Sequence, residues 1–124
     1  MTDTPKYREI PYNYTSFSDR EIILRYFDAQ TWETLDDLRR QRVTGRSAKL
    51  LFEVIGDIFL LDRNPYVFND FLDNPHKQHR LRRVHRRKLD IIAKGAGDDR
   101  VTGILQKVEA ADRHLFLRLK DEPA

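Results

Sequence analysis

The sequence predicts an α+β domain that is mostly helical, with about five helices around a central β-hairpin and an αα-hairpin at its C-terminal end. Three observations support this fold class. The longest apolar block, 50–63, reads LLFEVIGDIFLLDR and is interrupted by Gly56-Asp57, and Gly supplies the positive φ that a tight hairpin turn requires. Segments on both sides of this block carry apolar residues at helical spacing. The last of them has the most regular period and pairs with the segment before it.

Both strands of the predicted hairpin are apolar on both faces. Leu50, Leu51, Phe52, Val54 and Ile55 precede the Gly-Asp pair, and the second strand carries a similar set, namely Ile58, Phe59, Leu60 and Leu61. A strand without a polar face has to be covered on both sides. We therefore expect helices to pack against both faces of the hairpin.

Composition limits the class of protein. A chain of 124 residues with 40% hydrophobic residues suits a single globular domain, 1–124. The absence of cysteine excludes disulfides, thiolate nucleophiles and iron–sulfur ligation within this chain. The N-terminus has no signal-like apolar segment, and no apolar run approaches the roughly 18 residues of a membrane span. We expect a cytoplasmic, bacterial-type protein.

The N-terminal third is predicted to be an extended arm followed by two helices. Pro5 and Pro11 favour extended backbone in the arm, 1–17. Two helices are expected in 18–43, the first opened by a capping box of Ser18 and Glu21. The second is capped by Asp28 or Thr31, with Gly45 as a C-terminal cap.

Two Asn-Pro pairs organise the chain after the hairpin. Asn64-Pro65 and Asn74-Pro75 are turn or helix-start signals, and they bracket a short helix predicted over 66–73. The αα-hairpin is predicted over 76–120. Gly95 ends its first helix, and Asp98 or Asp99 caps the second.

Positive charge is concentrated in one segment. The net charge is +3, yet 76–88 holds seven of the 23 Lys and Arg residues and no acid. The remaining 16 cations face 20 Asp and Glu residues, a balance of −4. The basic character therefore belongs to one helix.

This basic helix is the strongest candidate for a binding surface. Arg82, Arg83, Arg86 and Arg87 are expected to share a face opposite Leu81 and Val84, which suits phosphates or an acidic protein surface. The ordinary alternative is a solvated helix flank whose arginines pair with Asp and Glu elsewhere in the domain. Nucleic acid is disfavoured because no aromatic residues interleave with the cations.

No catalytic, cofactor-binding or metal-binding residues are predicted. The loop Gly95-Ala96-Gly97 follows a helix instead of a strand, so it does not match a dinucleotide-binding turn. His76, His79 and His85 have no carboxylate nearby in sequence. We interpret them as solvated histidines and not as metal ligands.

Several short motifs together resemble a known family. They are REIPYNYTSFSDRE at 8–21, TGRSA at 44–48, LFEV at 51–54, GDI at 56–58, RNPY at 63–66 and LDNP at 72–75. The chain resembles, over essentially its whole length, the N-terminal domain of unknown function of large bacterial FAD/FMN-containing dehydrogenases. In that family a flavin-binding domain and iron–sulfur modules follow this domain, and the enzymes are similar to glycolate and D-lactate dehydrogenases. The resemblance transfers no catalytic residue onto these positions.

The resemblance implies a non-catalytic accessory domain, a fragment of a larger FAD-linked oxidoreductase. Its partners would be the flavin and electron-transfer domains, and FAD and iron–sulfur clusters would belong to the parent polypeptide. Partner contacts are expected from the basic helix and from Tyr7, Tyr12 and Tyr14 of the arm, since aromatic and guanidinium groups are enriched in interfaces. The alternative is a free-standing binding module whose basic helix meets nucleic acid or an acidic protein.

Overall fold

The computed structural model describes residues 17–95 and 97–121, and all regular structure within those ranges is helical. Six helices are described, and their bounds are α1 (Asp19–Tyr26), α2 (Ala29–Arg39), α3 (Gly45–Arg63), α4 (Pro65–Leu72), α5 (Pro75–Gly95) and α6 (Asp99–Asp121). The arm predicted for 1–17 falls outside the described residues except for Phe17. Among the helices described, none combines the length and apolar character that a membrane crossing requires.

The predicted central β-hairpin is wrong, and with it the α+β class. The block 50–63 lies inside one continuous helix, α3, and no strand is found among the described residues. Gly56 and Asp57 occupy the middle of that helix, and no described residue has a positive φ. The Gly-Asp pair is therefore not a turn.

Helical spacing explains why α3 forms. Its buried residues recur at intervals of three and four, which is the period of an α-helix and not of a strand. They are Ala48, Leu51, Val54, Ile55, Ile58, Phe59 and Leu61. A helix satisfies its own backbone hydrogen bonds, whereas an isolated two-stranded hairpin is marginal in water.

Helix α3 lies at the centre of the bundle. It packs against each of the other five helices, and its Phe59 is fully buried. The rings of Phe17 and Tyr26 lie edge-on to Phe59, with centroids 5.2 and 6.1 Å away. The expectation that 50–63 is core is confirmed, although its secondary structure differs.

Several predicted helix starts are confirmed. Ser18 and Glu21 form the full capping box of α1, and the Asp28 carboxylate accepts a hydrogen bond from the Thr31 amide at the start of α2. Gly45 is not the cap of α2. It is the first residue of α3, and α2 ends at Arg39.

Both Asn-Pro pairs also begin helices. The Asn64 side chain accepts hydrogen bonds from the amides of Tyr66 and Val67, which cap α4. Asn74 accepts from the Lys77 amide at the start of α5. Asp98 accepts from the Arg100 amide in the first turn of α6. These local signals fix where α4, α5 and α6 begin.

Replacing Gly56 by Ala is expected to stabilise the domain. A Cβ at Gly56 meets nothing within 4 Å, so Gly56→Ala should raise the free energy of unfolding by about 0.5–1 kcal/mol through helix propensity. Urea denaturation checks this value.

Two other glycines serve as controls. Gly103 is also mid-helix with open space and should behave like Gly56, whereas a Cβ at Gly45 lies 3.0 Å from the Arg39 carbonyl oxygen and should bring less gain or a loss. If Gly56→Ala instead destabilises by more than about 1 kcal/mol, Gly56 needs a positive φ and α3 is not continuous.

Candidate functional site

A histidine lies between two aspartates inside the bundle. The His85 side chain is 0% exposed. Its Nδ1 lies 2.6 Å from Oδ1 of Asp112, and its Nε2 lies 2.9 Å from Oδ2 of Asp57. The Phe116 ring packs edge-on to the imidazole, with centroids 6.2 Å apart. The three residues come from α5, α6 and α3, so this histidine cluster joins the central helix to both helices of the C-terminal pair.

Helix periodicity places His85 in the core. It is buried together with Leu89 and Ile92, at positions i, i+4 and i+7 of α5. Asp57 and Asp112 are 28 and 27 residues away along the chain. The interpretation of His85 as a solvated histidine is therefore wrong. The spacing of His85 from Leu89 and Ile92 is a signal of burial in the sequence. Its two carboxylate partners come close to it only in the tertiary fold.

The cluster favours a protonated ring. A neutral imidazole carries one N–H and can donate to one carboxylate, whereas imidazolium donates to both. Burial disfavours the charge, but the hydrogen bonds and negative charges of Asp112 and Asp57 outweigh that penalty and raise the pKa of His85 above its ordinary value of 6.5. His85 is best described as an imidazolium held between two carboxylates.

This geometry suits a structural role better than a catalytic one. Both ring nitrogens are engaged and the side chain is enclosed, so His85 has no free lone pair to offer a substrate or a metal. Among the described residues no group of three His, Asp or Glu side chains is arranged to hold a metal ion. His76 and His79 lie exposed on α5.

Two surface cavities flank the cluster. A cavity of about 280 Å³ contains Asp57 together with Asp19, Glu53 and Lys88. Its charges are paired: Asp19 with Arg39, Glu53 with Lys88, and Asp57 with His85. Each acid named here is therefore paired with a cation of the same chain.

The second cavity is a groove between α5 and α6 of about 510 Å³, which we call the α5/α6 groove. Its cations are Arg82, Arg86, Arg113 and Lys120, and its floor includes Phe116 and the exposed Leu117. None of these four cations forms an ion pair with a residue that the structure describes. The groove thus differs from the first cavity in carrying unsatisfied positive charge.

The predicted basic face divides into two parts. Arg82 and Arg86 line the α5/α6 groove, and the Arg82 guanidinium lies over the Phe116 ring at 5.7 Å. Arg83 and Arg87 are exposed but do not line it. Val84 is 39% exposed, so it does not lie on the buried side of α5, where we expected it.

Sequence reasoning missed the contribution of α6 to this surface. Arg113 and Lys120 lie outside the basic segment, and only the pairing of α5 with α6 brings them to Arg82 and Arg86. Tyr7, Tyr12 and Tyr14 of the predicted arm lie outside the described residues, so their role stays a prediction.

Neutralising Asp112 should destabilise the domain strongly. Its side chain is 13% exposed, so Asp112→Asn removes one of two charges balancing a buried imidazolium and should cost on the order of 3 kcal/mol. The Asp57 side chain is 37% exposed, and solvent screening should limit the loss for Asp57→Asn to about 1 kcal/mol. Urea denaturation at pH 6 measures both. Equal losses below about 0.5 kcal/mol would show that His85 is not protonated there.

Stability should also fall as the pH rises above about 6.5. The folded-state pKa of His85 lies above the unfolded value of 6.5. The stabilisation is therefore fully present below about pH 6.5 and is lost as the pH rises through the folded-state pKa. Denaturation between pH 6 and pH 9, with an NMR titration of the imidazole, checks this. The exposed His79→Gln variant is the control and should keep the wild-type profile, whereas a profile flat over that interval would contradict the prediction.

Comparison with known proteins identifies one family. The family model described as "Protein of unknown function (DUF3683)" matches residues 5–116, a range that includes all of α1 to α5 and most of α6. Neither the search of curated proteins nor that of solved structures finds a match. Because the match covers most of the sequence, the chain belongs to the DUF3683 family.

Proposed function

We propose that this DUF3683 chain is a non-catalytic accessory domain that docks on the flavin and electron-transfer domains of an FAD-linked oxidoreductase. The observation that carries the docking role is a surplus of unpaired arginine on α5. Arg82, Arg83, Arg86 and Arg87 are all exposed, and none forms an ion pair with a described residue. The flavoprotein context comes from the sequence motifs at 8–21 and 63–75, which resemble the N-terminal domain of such dehydrogenases.

The pattern of ion pairs argues against a purely internal role for these arginines. Some other cations of the bundle find acids, since Arg39 pairs with Asp19 and Asp36, and Arg118 pairs with Asp62. Arg82, Arg83, Arg86 and Arg87 are solvent-exposed, and within the described residues none of them pairs with an acid elsewhere in the domain. Guanidinium groups left free on one helix are suited to an external acidic surface.

The surroundings of His85 favour a structural role for the histidine cluster over a catalytic one. His85 is a buried titratable side chain with a shifted pKa, and such groups are the first candidates for chemistry. Here both its nitrogens are bonded within the core. It fixes α5 and α6 against α3 and so gives the arginine-bearing helix a rigid base.

The docking test is a binding measurement between this chain and the flavin domain encoded with it. Calorimetry should show binding that weakens with salt, because exposed charges are screened. Reversal of Arg82, Arg83, Arg86 and Arg87 to Glu should weaken binding by at least about tenfold. Failure of the flavin domain to bind at tens of micromolar would overturn the proposal.

The same arginines allow a test of the alternative, a nucleic-acid-binding module. Titration with duplex DNA at low salt should show no binding at tens of micromolar. Tight binding whose affinity falls steeply with salt, through release of counterions, would favour the alternative instead.

The isolated chain should bind neither FAD nor FMN. Dinucleotide pyrophosphates are held by a Gly-rich turn from a strand into a helix N-terminus. Within the described residues each helix follows another helix or a short connection, and Gly95 ends α5. Absorbance and fluorescence titration should therefore show unperturbed free flavin. A stoichiometric flavin on the purified chain would contradict the accessory role.

A further inference from the structure

We infer that the α5/α6 groove is the docking site itself, and that its occupant is an acidic amphipathic helix of a partner protein. The inference rests on the proposed docking function and assigns it to one surface and one ligand chemistry. The groove combines unpaired cations with the exposed apolar side chain of Leu117, a combination that the other cavity lacks.

The length of the groove favours a segment of chain over a small anion. Its lining runs from Arg82 to Ala93 on α5 and from Glu109 to Lys120 on α6. At 1.5 Å per residue each wall is about 16 Å long, or three helical turns. A groove of this length between two helices accepts the apolar face of a third.

Apolar contact is available along its floor. Leu117 is 58% exposed, and Phe116 lies beside it under the Arg82 guanidinium. Exposed apolar side chains ringed by charged ones are typical of interaction sites. The occupant must therefore carry large apolar residues along one face.

The charge of the groove determines which polar side chains the occupant must carry. Three acids also line the groove. Asp112 contacts His85, and Asp90 pairs with Lys94. Glu109 is therefore the unpaired acid beside the four unpaired cations. His85 shares its charge between Asp112 and Asp57, but the four cations outnumber Glu109 and Asp112, so the groove keeps its positive potential. Carboxylates of the partner can satisfy these cations.

The groove is also polarised along its length. Arg82 contacts Phe116, and His85 contacts Asp112, so α5 and α6 run antiparallel. Arg82 and Lys120 therefore lie towards one end, and Asp90 and Glu109 towards the other. An occupant with its carboxylates clustered at one end is favoured in a single orientation.

The experiment uses a synthetic helical peptide of 18 residues, with Leu or Phe along one face and Glu beside that face towards one end, and the isotope-labelled full chain. NMR should show amide shifts confined to 82–93 and 109–120. The groove variant Arg113→Glu/Lys120→Glu should bind at least about tenfold more weakly, and the matched outer variant Arg83→Glu/Arg87→Glu less than about threefold. Leu117→Ser, at an exposed site, should weaken binding without loss of thermal stability.

Several results would overturn the assignment. These are no amide shifts at about 1 mM peptide, shifts that map to α1–α4, or equal effects of the two double variants. An acidic peptide without apolar residues that binds equally well would remove the apolar requirement. Tighter binding of duplex DNA or anionic vesicles to the same amides would assign the groove to a different partner.

The outcome also separates this inference from the docking function. If the flavin domain binds the groove variant as tightly as the wild-type chain, the groove assignment fails and the docking function survives. If neither the peptide nor the flavin domain binds the wild-type chain, both fail.

Discussion

Burial of α3 is the constraint on which the rest of the bundle depends. Its apolar side chains cover so much of the helix circumference that it has to be enclosed on several sides, and it packs against each of the other five helices. A helix of this kind cannot lie at a surface, because every exposed turn would leave apolar area in water. The short helices α1, α2 and α4 and the long pair α5 and α6 are arranged around it for that reason. The position of any functional surface follows from which faces of these outer helices remain free.

The sequence shows this core but not its secondary structure. A short apolar run with Gly-Asp at its centre fits a hairpin and a buried helix alike, and length is the deciding feature. The helical period extends upstream to Ala48 and the helix itself begins at Gly45, beyond the block taken as the hairpin. Gly56 led to the wrong prediction of a turn. In sequence, a glycine that lies in a helix with open space beside it looks the same as a glycine that a turn requires. By contrast, capping residues act through local hydrogen bonds, so Ser18, Asp28 and Asn64 were predictable.

The histidine cluster shows where prediction from one sequence stops. His85 could have been placed in the core from its spacing with Leu89 and Ile92. Its partners could not, because Asp57 and Asp112 are close only after α3, α5 and α6 have packed. A buried ion cluster loses hydration energy, and replacement by apolar residues is often no less stable. Such a cluster fits best where it fixes one register between helices, and here it holds α5 and α6 at the separation that creates the groove.

The charge pattern of α5 is unfavourable for the helix itself. It has no acid in its first turn, where the helix dipole favours one, and Arg82 and Arg86 place like charges four residues apart, as do Arg83 and Arg87. Each arrangement costs a few tenths of a kcal/mol in an isolated helix. None of these four arginines recovers that cost through an ion pair with a described residue, although the rest of the chain carries an excess of acids. A sequence can break such a local rule without any compensation inside the fold. At such a site the compensation comes from a partner. On this physical ground, and independently of any family resemblance, we propose α5 as the part of the molecule that binds a partner.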